Sequence, residues 1–256
     1  MKKIILYRIS SQGYPKLKIN TINKFDCLRN LLETFQDWTF ICVADNCDSE
    51  LLSKLSSYKF DSFYQTSLGN PGSFWRLYEE GLKIANEEDL IYFVEDDYIH
   101  LPEAPKGIEE GLQFFDYVTL YDHPDKYHSV NRALNPYTKI NKYSEPTEIH
   151  KGEKFLWRTT NSTTMSFAVK GRALIDDSDI WRICSIKQKD HDFDNFCILT
   201  KQKVLFKSKI LKQLPRKYQF FFKPRRFLGV CLPGLAIHLE KPYILPKDYE
   251  RFSIPK

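Results

Sequence analysis

Five apolar residues, Leu90-Ile91-Tyr92-Phe93-Val94, run directly into three carboxylates, Glu95-Asp96-Asp97. An apolar run of that length with an abrupt polar stop reads as a buried strand of a parallel sheet. The same pattern recurs upstream. Lys3 to Tyr7 passes into Arg8, Ile9 and Ser10, Thr39 to Ala44 is stopped by Asp45-Asn46, and Ser62 to Thr66 is a weaker strand. Between these runs the period becomes helical. From Ile19, the residues Ile22, Phe25, Leu28, Leu31, Leu32 and Phe35 share one face, and Ser49 caps a short helix. After the turn Gly69-Asn70-Pro71-Gly72, Ser73 caps a helix over Phe74 to Ala85. Strands alternating with helices of this length imply an α/β chain with a doubly wound, mostly parallel central sheet and helices on both faces.

The second half is less periodic. Tyr117 to Tyr121 and Thr164 to Val169 read as strands, and His191 to Lys201 as a helix. His123 to Lys154 is polar and broken by prolines, the pattern of a long functional loop or lid. Ser208 to Phe227 interleaves Lys209, Lys212, Arg216, Lys217, Lys223, Arg225 and Arg226 with Tyr218, Phe220, Phe221 and Phe222. With 256 residues the chain suits one large domain, 1–256, whose halves 1–100 and 101–256 differ in regularity.

Composition excludes several classes. The 19 Phe and 15 Tyr argue against disorder, and a net charge of +5 is too mild for a dedicated nucleic-acid binder. It suits a ligand carrying phosphates. The six cysteines form no CxxC pair and no zinc-finger spacing, so they are expected as reduced, packed thiols. The apolar run after Met1-Lys2-Lys3 is too short for a signal peptide or a membrane span, and a cytoplasmic location is expected.

In open α/β sheets ligands bind beyond the carboxyl ends of the strands. Here those ends carry Tyr7-Arg8-Ile9-Ser10, Asp45-Asn46 and Glu95-Asp96-Asp97, all on one edge. Three adjacent carboxylates repel one another unless a cation or solvent relieves them. Two readings follow: a seat for a hard divalent ion such as Mn²⁺ or Mg²⁺, or a solvated acidic turn.

Tyr92 to Tyr98 resembles the DxD-type motif of GT-A glycosyltransferases, with Glu-Asp-Asp in place of Asp-x-Asp. Asn70-Pro71-Gly72-Ser73 and its helix resemble the segment upstream of that motif. Lys189 to Asn195 is similar to the acidic segment that supplies the catalytic base in inverting members, and Gly234 to His238 to the late histidine of the metal site. The resemblance spans nearly the whole chain, in order. It implies a GT-A-like, Rossmann-type fold with a nucleotide-binding first half and an acceptor-binding second half. It implies Asp97 and His238 as ligands of Mn²⁺ or Mg²⁺. Glu95 or Asp96 would reach the metal directly, through water, or contact donor sugar or ribose. Asp45 would hold the base or ribose, Asn70 would lie on the donor side, and Tyr7, Arg8 and Ser10 would line the nucleotide pocket. Arg8 would face phosphate, as would Arg76 unless it is an ordinary surface arginine.

The implied reaction moves a sugar from a nucleotide diphosphate, UDP by default, to a hydroxyl of a glycan acceptor, with inversion. A cation offsets charge on the leaving group, and a carboxylate takes the acceptor's proton. Asp190 and Asp192 are the candidates, Asp192 favoured by Phe193 and Phe196 beside it; the alternative is an acidic helix start, and the order of the resembling motifs favours the base. Thr159 to Thr164 would shape a pocket or merely a turn, and Trp157 and Trp181 would stack on sugar or pack in the core. The basic aromatic stretch allows a loop over the diphosphate, a contact with anionic membrane lipid, or a surface for an anionic acceptor. The rivals are a nucleotidyltransferase, disfavoured by a single glycine in Ser10 to Tyr14, and a nucleic-acid or anionic-polymer binding module. The latter leaves the acidic triplet unexplained, and no nucleic-acid partner is expected.

Overall fold

The computed structural model describes residues 1–11, 19, 21–126, 147–186, 192–201, 222–244 and 246–254. The strands are β1 (Lys3–Ile9), β2 (Thr39–Asp45), β3 (Ser62–Thr66), β4 (Leu90–Glu95), β5 (Tyr98–His100), β6 (Tyr117–Thr119), β7 (Ile149–Lys151), β8 (Leu156–Thr160), β9 (Phe167–Lys170), β10 (Leu228–Leu232) and β11 (Ala236–His238). The helices are α1 (Lys24–Thr34), α2 (Ser49–Leu55), α3 (Gly69–Ile84), α4 (Ala104–Phe114), α5 (Gly171–Asp176), α6 (Ser178–Ile186), α7 (Asp192–Leu199) and α8 (Pro246–Arg251).

Nine strands form one sheet in the order β3-β2-β1-β4-β9-β6-β10-β8-β7, and β5 pairs with β11 in a small antiparallel sheet. The run β3-β2-β1-β4 is parallel throughout. β9 opposes both β4 and β6, and β8 opposes β7 and β10, while the remaining strands share one direction. The chain is thus a Rossmann-type α/β protein with a mostly parallel sheet that continues through both halves.

Side-chain alternation divides the core in two. Ile5, Tyr7, Phe40, Cys42, Tyr92 and Val94 meet α1, α2 and α4 on one face. Ile4, Leu6, Ile41, Val43, Ile91 and Phe93 meet α3, α5, α6 and α7 on the other. Complete burial of each such side chain is worth ~1.5–3 kcal/mol, so the continuous apolar runs hold because both faces are covered. A third cluster, including Ile99, Ile237, Leu239 and Phe252, packs under the small sheet. Among the described residues no helix is long and apolar enough to cross a membrane.

Several boundaries depart from the sequence reading. Asn23 rather than a residue near Ile19 starts α1, through a capping box with Asp26. Asp48 rather than Ser49 caps α2. The expected turn Gly69-Asn70-Pro71-Gly72 is the first turn of α3, where the amides lack helical partners and proline costs nothing. Gly69, at φ 72°, adopts the left-handed geometry that favours glycine.

Helix α4 lies against the Trp157 indole, and Gly111 makes this approach feasible. A β-carbon built there would stand 2.4 Å from the ring of Trp157, a fully buried residue. Trp157, a candidate for sugar stacking, is therefore core, as is Trp181. Alanine gains ~1 kcal/mol over glycine in a helix, whereas overpacking costs ~1–3 kcal/mol. Gly111→Ala is expected to lower stability by roughly 1–2 kcal/mol, read as a lower midpoint in urea unfolding with an unchanged slope.

Candidate active site

Strand order reverses between β1 and β4, which makes the crevice beyond their carboxyl ends the switch point of the sheet. Asp45, at the end of β2, is 3% exposed. Its Oδ1 accepts hydrogen bonds from Thr66 Oγ1 and Leu68 N, both at 2.7 Å, and its Oδ2 accepts one from Asn46 Nδ2 at 2.8 Å. Asp45 thus ties β2 to the start of α3 and forms a wall of the crevice.

The acidic triplet is not bare. Glu95 Oε1 is 2.6 Å from Arg8 Nη2, its neighbour in the parallel register of β1 and β4. The same guanidinium donates to Asn70 O at 2.5 Å and Ser73 Oγ at 3.3 Å. Arg8 thus links Glu95 to the first turn of α3 at the crevice. Asp96 Oδ2 is 2.7 Å from Lys24 Nζ and accepts the Ser10 amide at 3.3 Å. Lys24 also donates to Ser10 O.

Asp97 is directed differently. Its Oδ2 lies 3.1 Å from His238 Nε2, with both side chains buried. The small sheet produces this contact, because His238 pairs with Tyr98 in the β5–β11 register and Leu239 N donates to Asp97 O at 2.9 Å. The Tyr98 ring stacks on the imidazole at 4.9 Å, and its hydroxyl is 2.7 Å from Thr164 Oγ1. Glu240 Oε2 stands 3.8 Å from Nδ1, the side from which carboxylates orient metal-binding histidines.

Adjacent ligands of a six-coordinate divalent ion at about 2.1 Å stand about 3 Å apart. The 3.1 Å contact between Asp97 and His238 fits that spacing, and an imidazole beside a carboxylate is an N/O donor set. Among the described residues no group of three or more His, Cys, Asp or Glu converges as a metal cluster. A cation here would take two protein ligands and complete its shell from substrate and water.

Other sequence candidates lie elsewhere. Tyr7 is 1% exposed, with its ring against Phe40. It is core rather than pocket lining, and burial together with Asp96 and Asp97 pushes its phenol well above the ordinary value. Arg76 pairs with Glu80 at 2.8 Å and covers the Tyr64 ring, the surface alternative of its two readings. Asp192 is the first residue of α7, and Asp190 lies outside the described residues. Of the basic aromatic stretch, 208–221 lies outside them too. Lys223 meets Asp179, and Arg226 meets Asp177 at 2.9 Å and Asp176 at 3.0 Å, at the edge where β6 and β10 begin. These two cations are structural and sit opposite the crevice.

Lys24, Glu240 and Ser166, whose Oγ accepts the Glu95 amide at 3.1 Å, join the site without a local sequence signal. The Thr159 to Thr164 run does reach it, through Thr164. Tyr121 packs edge-on against His238, and His123 against Tyr121, so the end of β6 closes the same wall. Asp122 Oδ1, 3.2 Å from Arg158 Nη2, adds a further ion pair beside it. Cys47, nearby, has its thiol pushed up to about 11 by burial, so it is no nucleophile at neutral pH.

No protein-family model and no curated protein matches the sequence. Several solved structures align with most of the chain. Residues 1–349 of S. aureus TarS are 13% identical, with 87% of this chain and 75% of that one covered at a TM-score of 0.43; another TarS structure holds UDP. The 4-diphosphocytidyl-2C-methyl-D-erythritol synthase of Anaerococcus prevotii is 13% identical over 97% and 94%, at 0.44. A CMP:2-keto-3-deoxy-manno-octonic acid synthetase complexed with CTP is 12% identical over 91% and 92%, also at 0.44.

Proposed function

We propose that this chain is a glycosyltransferase that uses a divalent cation, Mn²⁺ or Mg²⁺, to move a sugar from a nucleoside diphosphate to a glycan hydroxyl. One observation supports the reading: at the switch-point crevice Asp97 and His238, two side chains able to ligate a cation, lie 3.1 Å apart, while Glu95 pairs with Arg8 and Asp96 with Lys24. A fixed Arg or Lys would repel a metal, whereas a histidine can ligate one.

The remaining parts follow from position. Asp45 and the first turn of α3 wall the nucleoside side, with Arg8 and Glu95 holding that turn to β4. Ser10 and Asp96 sit at the mouth, where a ribose or donor sugar can exchange hydrogen bonds with a carboxylate. A bound cation would offset the charge that grows on the departing diphosphate. Asp192 is proposed to take the acceptor's proton. Its helix is tied to the opposite edge at its far end, where Arg226 N donates to Leu199 O at 2.9 Å.

Nucleotidyl transfer uses the same kind of sheet, and product analysis separates the two. Incubation with UDP-sugars and glycan acceptors in Mn²⁺ is expected to release UDP. Release of pyrophosphate from a nucleoside triphosphate and a sugar phosphate, without UDP release in the first assay, would establish the rival instead.

A further inference from the structure

Four large apolar side chains face solvent at the sheet edge opposite the crevice. Phe222 is 88% exposed, and Phe114, Ile175 and Phe227 lie between 42% and 48%. Three separate segments carry them, and Arg226 ties those segments together. Its guanidinium reaches Asp116, two residues beyond Phe114, at 3.4 Å and Asp176, next to Ile175, at 3.0 Å. Asp116 Oδ2 also accepts the Phe227 amide at 2.9 Å, and Lys223, beside Phe222, donates to Asp176 O. An exposed apolar patch held in place by a buried ion network marks a surface of association.

Charge narrows the partner. Asp116, Asp176 and Asp177 are bonded to Arg226, and Asp179 to Lys223. Arg225 is exposed, with its guanidinium carbon 5.1 Å from the centroid of the Phe227 ring. Between Asp194 and Glu240 the sequence holds ten Lys and Arg and not one Asp or Glu. A run so one-sided suits an anionic surface. It disfavours a symmetric contact with a second copy, which would set like charges opposite one another. Ile175 has no ring to stack on a base, as single-strand binding needs, whereas Ile and Phe both enter the acyl boundary of a bilayer.

We propose that Phe114, Ile175, Phe222 and Phe227, with Arg225, dock this chain peripherally on an anionic lipid bilayer. The apolar side chains enter the boundary between headgroups and acyl chains, and the guanidinium of Arg225 stays at the depth of the lipid phosphates. The patch and the crevice stand at opposite ends of the strands, so docking leaves the crevice open to water. The inference makes no use of the transferase reading and stands or falls without it.

The test is cosedimentation of the full chain with vesicles of phosphatidylcholine alone and of phosphatidylcholine mixed with phosphatidylglycerol. Wild type is expected to bind the mixed vesicles at least about tenfold tighter than the neutral ones, and high salt should release it. Phe222→Ser is expected to weaken binding to mixed vesicles about tenfold, and Arg225→Gln about fivefold. Both side chains are exposed, so thermal melts of the two variants should match wild type. Equal binding of wild type to the two vesicle types overturns the proposal, and so does equal binding of wild type and Phe222→Ser to the mixed ones. A dimer that Phe222→Ser dissolves, without vesicle binding, would assign the face to a second copy instead. Tight binding of a single-stranded oligonucleotide, again without vesicle binding, would assign it to nucleic acid.

Discussion

Asp97→Asn is expected to lower sugar transfer about a thousandfold, equivalent to ~4 kcal/mol of barrier at 1.36 kcal/mol per decade. The amide keeps the size of the carboxylate and can still meet His238 Nε2, so the β5–β11 corner should survive. What it loses is the anionic ligand proposed for the cation. Because Glu95, Asp96 and Asp97 crowd three negative charges together, neutralising one does not destabilise the fold on electrostatic grounds. The variant should therefore melt no lower than wild type while losing transfer and Mn²⁺-dependent nucleotide binding together. Steady-state kinetics and a thermal melt on the same preparation provide the check. Near wild-type kcat/KM in Asp97→Asn would remove Asp97 from the site.

Arg226→Met is expected to have the opposite profile, a loss of stability without a loss of chemistry. The guanidinium joins Asp177, Asp176 and Asp116 at the sheet edge remote from the crevice, and Tyr117 donates to Asp177 Oδ2 at 2.8 Å. Breaking a buried ion pair costs about 3–5 kcal/mol, because the remaining charge is left without compensation. For a chain of this size that lowers Tm by roughly 10 °C. Burial holds the Asp177 carboxyl above its ordinary value even with Arg226, Lys223 and Tyr117 pulling it down. Removing Arg226 raises it further. A carboxyl whose folded pKa is raised contributes stability below its unfolded pKa and loses it as pH rises through the folded value. The deficit of the variant should thus widen with pH, and adding Asp177→Asn should recover part of it. Specific activity per folded molecule should stay at the wild-type level, since nothing in this network touches Asp97, His238 or Asp96.

Strands β1, β2 and β4 were legible because burial on both faces writes continuous apolar runs, and β3, a half-exposed edge strand, agrees with its weaker sequence reading to the residue. Helix α4 was not legible, for a physical reason. Its sequence carries Gly107 and Gly111, which argue against a helix by propensity, yet each glycine sits where Leu235 or Trp157 fills the space of a β-carbon. Strand β10 is similarly obscured by Gly229, which admits the Phe115 ring. The carboxylates of the site could be read from sequence, because a strand end followed by three acids is a local pattern. Their pairing could not. Arg8 to Glu95 depends on the β1–β4 register, Lys24 to Asp96 on where α1 begins, and His238 to Asp97 on a three-residue strand that pairs across 141 positions of sequence. Chemistry that depends on charge balance needed the tertiary structure. Sequence reasoning put Arg8 and the carboxylates on one edge, but it gave neither the pairing of Arg8 with Glu95 nor Lys24 at all.

The central claim is that a divalent cation and a nucleoside diphosphate meet at Asp97 and His238. Calorimetric titration of the full chain with UDP, GDP, CDP and TDP, each in Mn²⁺, in Mg²⁺ and in EDTA, tests it most directly. The account predicts that one diphosphate binds in the presence of metal and that EDTA weakens it at least about tenfold, or ~1.4 kcal/mol. Absence of binding by all four with metal present, or binding that EDTA leaves unchanged, would contradict it.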